Sequence, residues 1–596
     1  MVKNGINMSD SRSDFSTNSR MLSIAIIAAI IGVFSTITAY LLLHLIRFFT
    51  NLFFFQVISD VNLSPAANHL GLWVIVVPVI GGLLIGLIAR YGSEKIRGHG
   101  IPETIEAILF GNSKMSPKVA VLKPLASGIA IGSGGPFGAE GPIIMTGGAI
   151  GSLIGQFFRI TGAERKTLLV AGAVAGMTAV FGTPIAAVLL AVELLLFELR
   201  PRSLLAVAVA STVAGFTRPI IMDSGPLFPL DTMPVGTLDL WSCVLAGVMC
   251  GTLAWTLSNS LYKFEDLFKK LPIHWMWWPA LGGLAVGIGG YLEPRALGVG
   301  YDVIRDLLQN QLAIKVVFTL LIFKAVMWII ALSSGTSGGV LAPLLMMGAG
   351  LGVLIGPYLP GDHTALWPLV FMAATLGGMM RAPIMSVIFA FELTHDVNAL
   401  LPLLAASSVA YGFTVLIMPR SILTEKIARR GHHIYREYGV DPLERHYIEE
   451  VMTRKVQSIE STAKVVEVLG SHFGLDQQYR AYPVVSAGML VGMIDREALY
   501  IHSLKLESTV VGDLFGINLP IMATPGETCR SIATRMAVHG LERLPVVTDA
   551  NSRKLIGIIS RSDLIKPSLS LFAEEHVYER FRETPFSSMY SRFKKP

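Results

Sequence analysis

Charge is scarce in this chain. Asp, Glu, Lys and Arg together make up 15% of its 596 residues, against about 25% in an ordinary soluble chain. So little charge cannot cover a large water-facing surface, which excludes a wholly soluble fold. Cysteine is nearly absent: Cys243 and Cys250 share one apolar run and Cys529 lies in the polar C-terminal part. That leaves no disulfide framework and no cysteine-based metal site. Basic clusters are lacking too. The net charge of +6 is dispersed or sits near the ends of apolar segments, as positive-inside topology requires, and nucleic-acid binding is not indicated. No nucleophile–base set or metal-ligand spacing appears, so the chain does not read as an enzyme.

What is abundant is uncharged apolar sequence, with 52% hydrophobic residues. Residues 21–43, 71–89, 168–192, 241–262, 325–361 and 397–419 each run without a charge. About 18 such residues suffice for a helix across a ~30 Å hydrocarbon core. Others, such as 204–217, are too short to span. Short runs broken by Gly and Pro are the mark of interrupted helices, which need protein or a water-filled cavity around them. After Arg420 the sequence turns charged, with strand-like and helix-like stretches. The expected organisation is a polar tail (1–20), a membrane domain (21–430), a linker (431–446), two small similar domains (447–506 and 507–570) and a polar tail (571–596). The first apolar run is too long for a signal-peptide core, so no cleavage is expected. The pair His432-His433 reads as solvated linker.

The membrane part contains an internal repeat. Gly138-Ala-Glu-Gly-Pro142-Ile-Ile-Met145-Thr-Gly147 matches Gly339-Val-Leu-Ala-Pro343-Leu-Leu-Met346-Met-Gly348, an offset of 201 residues (138 to 339). Pro184-Ile-Ala-Ala-Val-Leu-Leu-Ala191-Val-Glu193 matches Pro383-Ile-Met-Ser-Val-Ile-Phe-Ala390-Phe-Glu392 at an offset of 199 (184 to 383). Two matches in one order at nearly one offset make the domain two related halves. Transport proteins of this design bind substrate where the halves meet. Gly147, Gly151 and Gly155 are expected to allow close helix packing. Glu193 and Glu392, recurring at equivalent places, are expected to bond helix ends.

Each repeated helix follows a glycine-rich turn, Gly132-Ser-Gly-Gly-Pro136-Phe-Gly138 or Ser333-Ser-Gly-Thr-Ser-Gly-Gly339. A third break, Gly98-His-Gly-Ile-Pro102, opens another short helix. Helix N-termini offer unpaired N–H groups and partial positive charge, so they hold anions without a full cation. Such binding is weak enough to let an ion go. Glu140 stands at one of these N-termini, where a carboxylate would act as a tethered competitor for the anion. Clustered carboxylates for a hard cation, the signature of a magnesium-type transporter, are missing.

These motifs resemble those of the CLC family of chloride channels and proton-coupled anion exchangers, over roughly residues 20–430. Gly138-Ala-Glu-Gly-Pro142 resembles the GxEGP motif, Gly339-Val-Leu-Ala-Pro343 the GxFxP motif and Gly98-His-Gly-Ile-Pro102 the GSGIP motif. Val121-Leu-Lys123-Pro is similar to the lysine segment before the gate. The resemblance implies an all-α membrane domain of two inverted halves with broken helices, a homodimer in lipid with one pore per subunit, and chloride or a related anion as substrate. It makes Glu140 the gate. Anion-binding groups are expected at His99, Gly100, Ile101, Ala139, Glu140, Gly141, Val340, Leu341 and Ala342. Four residues depart from the family pattern. His99 replaces a serine, Leu341 an aromatic, and Leu423 the pore tyrosine. Leu194 stands where exchangers usually carry an inner acid that handles protons. Leu194 favours passive, channel-like conduction; proton-coupled anion antiport on the same scaffold is the alternative.

In the tail, Tyr482-Pro-Val-Val485 with Val491-Gly-Met-Ile494, and Leu544-Pro-Val-Val547 with Ile556-Gly-Ile-Ile559, repeat a strand–turn–strand pattern. This resembles a pair of α+β CBS (cystathionine-β-synthase) domains. Gly557, Ser560 and Asp563 match that family's Gly-x-x-Ser/Thr-x-x-Asp nucleotide segment, so an adenine nucleotide is an expected regulator, although a helix-capping role for Ser560 accounts for it equally well. The first copy has Asp495 and Ala498 at the corresponding places. No cofactor is required for permeation. The CBS domains and both termini are expected on the cytoplasmic side of the cell or inner membrane.

Overall fold

A computed structural model of the chain describes residues 20–222, 225–360, 365–434, 442–567 and 578–579, with gaps at 475–476, 478, 498, 500–508, 516–519 and 550. Ala498, the polar tail before Arg20, part of the linker and most of the final tail lie outside the described residues. The chain forms two compact units, residues 1–434 with 578–596, and residues 435–577.

In the first unit, apolar sequence becomes helix and Gly/Pro punctuation sets the breaks. The first half comprises α1 (Arg20–Thr50), α2 (Val76–Tyr91), α3 (Ile101–Leu109), α4 (Pro117–Gly132), α5 (Glu140–Gly155), α6 (Gly162–Phe181), α7 (Pro184–Leu190) and α8 (Pro201–Ile221). The second comprises α9 (Thr237–Lys269), α10 (Trp278–Leu292), α11 (Tyr301–Leu308), α12 (Ile314–Ser333), α13 (Leu341–Ile355), α14 (Trp367–Met380), α15 (Pro383–Thr394) and α16 (Leu400–Ile417), and α17 (Ile422–Ala428) follows. Among the described residues, seven helices are long and apolar enough to cross a membrane. One expectation needs correction. The uncharged run 168–192 is two helices, because Gly182 closes α6 in the left-handed region (φ +71°) and Pro184 opens α7.

Reciprocal contacts establish that the halves are related by a two-fold axis. Gly138 and Gly339, equivalent in sequence, exchange backbone hydrogen bonds as an antiparallel pair. Glu392 accepts from Ile185 and Ala186 N–H (2.9 and 2.8 Å) at the start of α7, and Glu193 accepts from Met385 N–H (3.1 Å) at the start of α15. The expected helix-end role of both acids is therefore seen, each clamping the other half. A Cβ on Gly82 or Gly86 would meet the carbonyl oxygen of Pro279 or Met276 (2.3 and 2.1 Å), and one on Gly283 or Gly287 that of Pro78 or Ile75 (2.2 and 2.3 Å). Numbers rise along α2 as they fall along α10, so these equivalent helices run antiparallel. The axis therefore lies across the helices, and the halves are inverted.

Residues of α5, α6, α13 and α14 are almost all buried, as expected of helices apolar on every side. Glycine makes that packing close. A Cβ on Gly147 or Gly151 would come within 2.2 Å of a carbonyl of α6, and the second half repeats this at Gly348 and Gly352 against α14. Gly155 has ordinary room. Around this core α8 and α16 present large apolar side chains outward, such as Phe216 and Leu416.

The second unit is α+β. Strands β1 (Ile459–Glu460), β2 (Ala481–Ser486) and β3 (Met489–Asp495) form one sheet, with β1 parallel and β3 antiparallel to β2. A hairpin of β4 (Arg543–Val547) and β5 (Leu555–Ser560) forms the other. The two copies exchange ends: Ile448 and Val451 pack into the core with Val546 and Ile559, whereas Val511 packs with Val484 and Ile494.

Candidate anion-binding site

The Gly138–Gly339 pair brings the N-termini of α5 and α13 face to face. Glu140, first residue of α5, is fully buried. Its side chain folds back over Gly138, where a Cβ would collide with the carboxylate at 1.8 Å. Oε1 accepts the Ala342 N–H at 3.1 Å, and Oε2 is enclosed without a hydrogen-bond partner. The acid of one half thus occupies the helix start of the other, the position where the partial charge of the amides favours an anion.

The break before α3 abuts the same place. A Cβ on Gly100 would meet Gly141 O at 2.5 Å, and one on Gly141 would meet His99 O at 1.7 Å. Only glycine fits at either position. His99 is buried and neither ring nitrogen has a partner, so its N–H is available to an anion. Gly100 is not available in the same way. Its N–H is donated to Glu103 Oε2 at 2.9 Å, so the carboxylate three residues on caps the start of α3. Glu103 Oε1 in turn takes Arg430 (2.8 Å), just beyond α17. Ile101, Ala139, Val340 and Leu341 are fully buried around the junction.

All four departures from the family pattern are buried, and all but His99 are apolar. Leu341 begins α13, Leu423 lies on α17, and Leu194 sits in a wide π turn (Ala191–Leu196) after α7. Tyr262 approaches this region, but its hydroxyl is bonded to Ile422 O. No described group of three or more His, Cys, Asp and Glu residues can hold a metal ion.

Two features were not anticipated, the pairing of Lys123 with Lys324 and the cavity beside Tyr301. Lys123 donates to Ile96 O and Gly98 O (2.9 and 2.8 Å), and Lys324 donates to Ala296 O and Gly298 O (3.0 and 2.8 Å). Both lysines are fully buried. The offset of 201 residues that pairs Gly138 with Gly339 also pairs these lysines, a signal present in the sequence. Tyr301, first residue of α11, borders a cavity of about 580 Å³ that reaches Ala139.

In the second unit, Asp563 accepts the Ser560 N–H and Oγ–H (2.8 and 2.6 Å) and pairs with Lys566 (2.5 Å). The Ser560–Asp563 pair therefore ties its own turn. Burial pushes the Asp563 carboxyl up, but Lys566 and Ser560 outweigh this and hold it below the usual aspartate range. A depressed carboxylate stabilises the fold fully above the ordinary aspartate pKa of about 3.9 and loses that contribution as pH falls further. Asp563→Asn is expected to remove this acid sensitivity, read as hydrogen exchange in β4 and β5 across an acid titration.

A family model described as "Voltage gated chloride channel" matches residues 81–415, and one described as "CBS domain" matches residues 448–503 and 511–569. A protein of Ralstonia nicotianae with a provisional chloride-channel name (ClcB-like) is 28% identical over 59% of this chain and 85% of its own length. An H⁺/Cl⁻ exchange transporter, ClcA, of Klebsiella pneumoniae is 29% identical over 57% of this chain and 76% of its own. The crystal structure of a eukaryotic CLC transporter superposes with a TM-score of 0.61 at 19% identity, covering 91% of this chain and 98% of the other.

Proposed function

Because this chain belongs to the voltage-gated chloride channel family, with a CBS pair behind its membrane domain, we propose that it exchanges a chloride-like anion for protons, with Glu140 serving both. The observation behind this reading is the Glu140 carboxylate seated on the Ala342 N–H. Ionised, it is the anion at that helix start. Protonated, it loses its charge, a permeant anion becomes the stronger ligand for the amides, and the displaced carboxyl is free to swing out with its proton. One group therefore alternates between plugging the path and moving a proton.

The other donors then divide in two. Ala139, Glu140 and Gly141 amides frame the outer position; Val340, Leu341, Ala342, Ile101 and the His99 ring frame the central one. Glu103 holds Gly100 out of this set. The relatives named as exchangers favour antiport over the passive conduction expected from Leu194. That residue remains the observation behind the second reading, because an aliphatic side chain cannot pass a proton. The proposal places α17 and the CBS pair on the cytoplasmic side and the protein as a homodimer. Nucleotide regulation through Gly557, Ser560 and Asp563 requires Asp563 to exchange Lys566 for ribose hydroxyls.

The test is paired recording of anion and proton flux in proteoliposomes. An imposed anion gradient is expected to drive protons uphill in fixed ratio. Anion flux that leaves pH untouched would establish the channel reading instead.

A further inference from the structure

We propose that the segment following the CBS pair is an autoinhibitory tether, which pairs with the turn between α5 and α6 and keeps the Glu140 gate seated. The chain leaves the membrane unit after residue 434 and rejoins it at residue 578, so the CBS pair is held at both ends. On its return, Tyr578 and Glu579 form a two-residue strand antiparallel to Ile160 and Thr161. Ile160 lies opposite Glu579, and Thr161 opposite Tyr578. Ile160 and Thr161 are both buried.

The edge that the tail takes is the start of α6. The Thr161 hydroxyl accepts the Glu164 N–H (3.2 Å), and Glu164 Oε2 accepts the Thr161 N–H in return (2.8 Å). Arg20, first residue of α1, closes on the same Glu164 (3.0 Å) and on the Arg159 carbonyl (3.2 Å). The tail therefore grips the cap of a helix. α6 in turn lies backbone against backbone on α5: a Cβ on Gly172 would meet Gly147 O at 2.1 Å, and one on Gly151 would meet Leu168 O at 2.2 Å. Packing that close passes a displacement of one helix to the other instead of absorbing it. The first residue of α5 is Glu140, and its carboxylate sits on the Ala342 N–H while the tail is paired. The paired tail thus belongs to the plugged state. At the other end, the chain enters the CBS pair just beyond α17, where Arg430 holds Glu103 of α3 (2.8 Å). The two attachments reach the two helix starts that meet at Gly141, α5 through α6 and α3 through α17. A change within the CBS pair can therefore act on the gate from both. The effect on flux rests on the anion-transport reading; the attachment itself does not.

The test uses the full-length protein in proteoliposomes. Opposed residues of an antiparallel pair have Cα atoms about 4.5–5.5 Å apart, a separation that a disulfide spans. Ile160→Cys combined with Glu579→Cys is expected to cross-link within one chain under mild oxidant, mapped by peptide mass spectrometry. The cross-link is expected to lower anion turnover about 5-fold, the weight of one net hydrogen bond, and reductant to restore it. Tyr578→Pro combined with Glu579→Pro removes both N–H groups that the strand can donate. This variant is expected to raise turnover about 5-fold. Amide hydrogen exchange at the starts of α5 and α6 is expected to rise with it, a readout that needs no transport. Absence of the cross-link, a cross-link between two chains, unchanged exchange, or unchanged turnover in a proline variant that transports overturns the tether. Faster exchange in a protein that moves no anion would sink the transport reading and keep the tether.

Discussion

Glu140→Gln is expected to lower proton flux by about 100-fold or more, the scale on which loss of a proton-transferring side chain is felt. Anion flux is expected to persist and to lose its pH dependence. Glutamine matches the carboxylate in shape, so the fully buried site between α5 and α13 is preserved. Its carbonyl still accepts from Ala342 N–H, but a neutral acceptor is held about half as strongly as a charged one. The tethered competitor is thereby weakened at every pH, and an anion displaces it without waiting for a proton. Flux measured across a pH series, together with proton uptake, checks both halves of this expectation. An unchanged pH profile would remove Glu140 from the gate.

The second large effect concerns stability. Glu392→Ala leaves the Ile185 and Ala186 N–H groups, both at the start of α7, without their acceptor. Hydrogen bonds to a charged group are worth about 1.5–3 kcal/mol each, so a loss of about 3 kcal/mol is expected even after water or neighbours recover part of it. Purified variant should unfold at a distinctly lower temperature than wild type. The ratio of anions to protons in surviving molecules should not change, because Glu392 and Glu193 clamp the two halves and hold no anion. A normal melting temperature with an altered ratio would assign them a part in transport instead.

Much of this architecture is legible in the sequence because its punctuation is local. Gly138, Gly339 and the prolines after them announce helix starts, and the constant offset between matching runs announces the duplication. Glu140 stands out as an acid inside such a run. Other features depend on contacts that local reading does not reach. The run 168–192 shows no charge, which hides the break that Gly182 and Pro184 impose. The Gly100 amide looks free until Glu103, three residues on, is seen to take it; an acid at that spacing from a helix start was readable. The Tyr262 hydroxyl meets Ile422 O across 160 residues, and nothing near either residue signals the meeting. Lys324 was within reach, since its offset from Lys123 is the offset of the repeat.

The inverted pair at Gly138 and Gly339 gives the molecule a scaffold that looks alike from either leaflet. Such a scaffold cannot by itself tell entry from exit. Vectorial behaviour must come from residues that break the correspondence, and on the axis itself that residue is Glu140, whose counterpart is Leu341. A single carboxyl group, present in one repeat and replaced by an aliphatic side chain in the other, is where the correspondence of the two repeats ends on that axis.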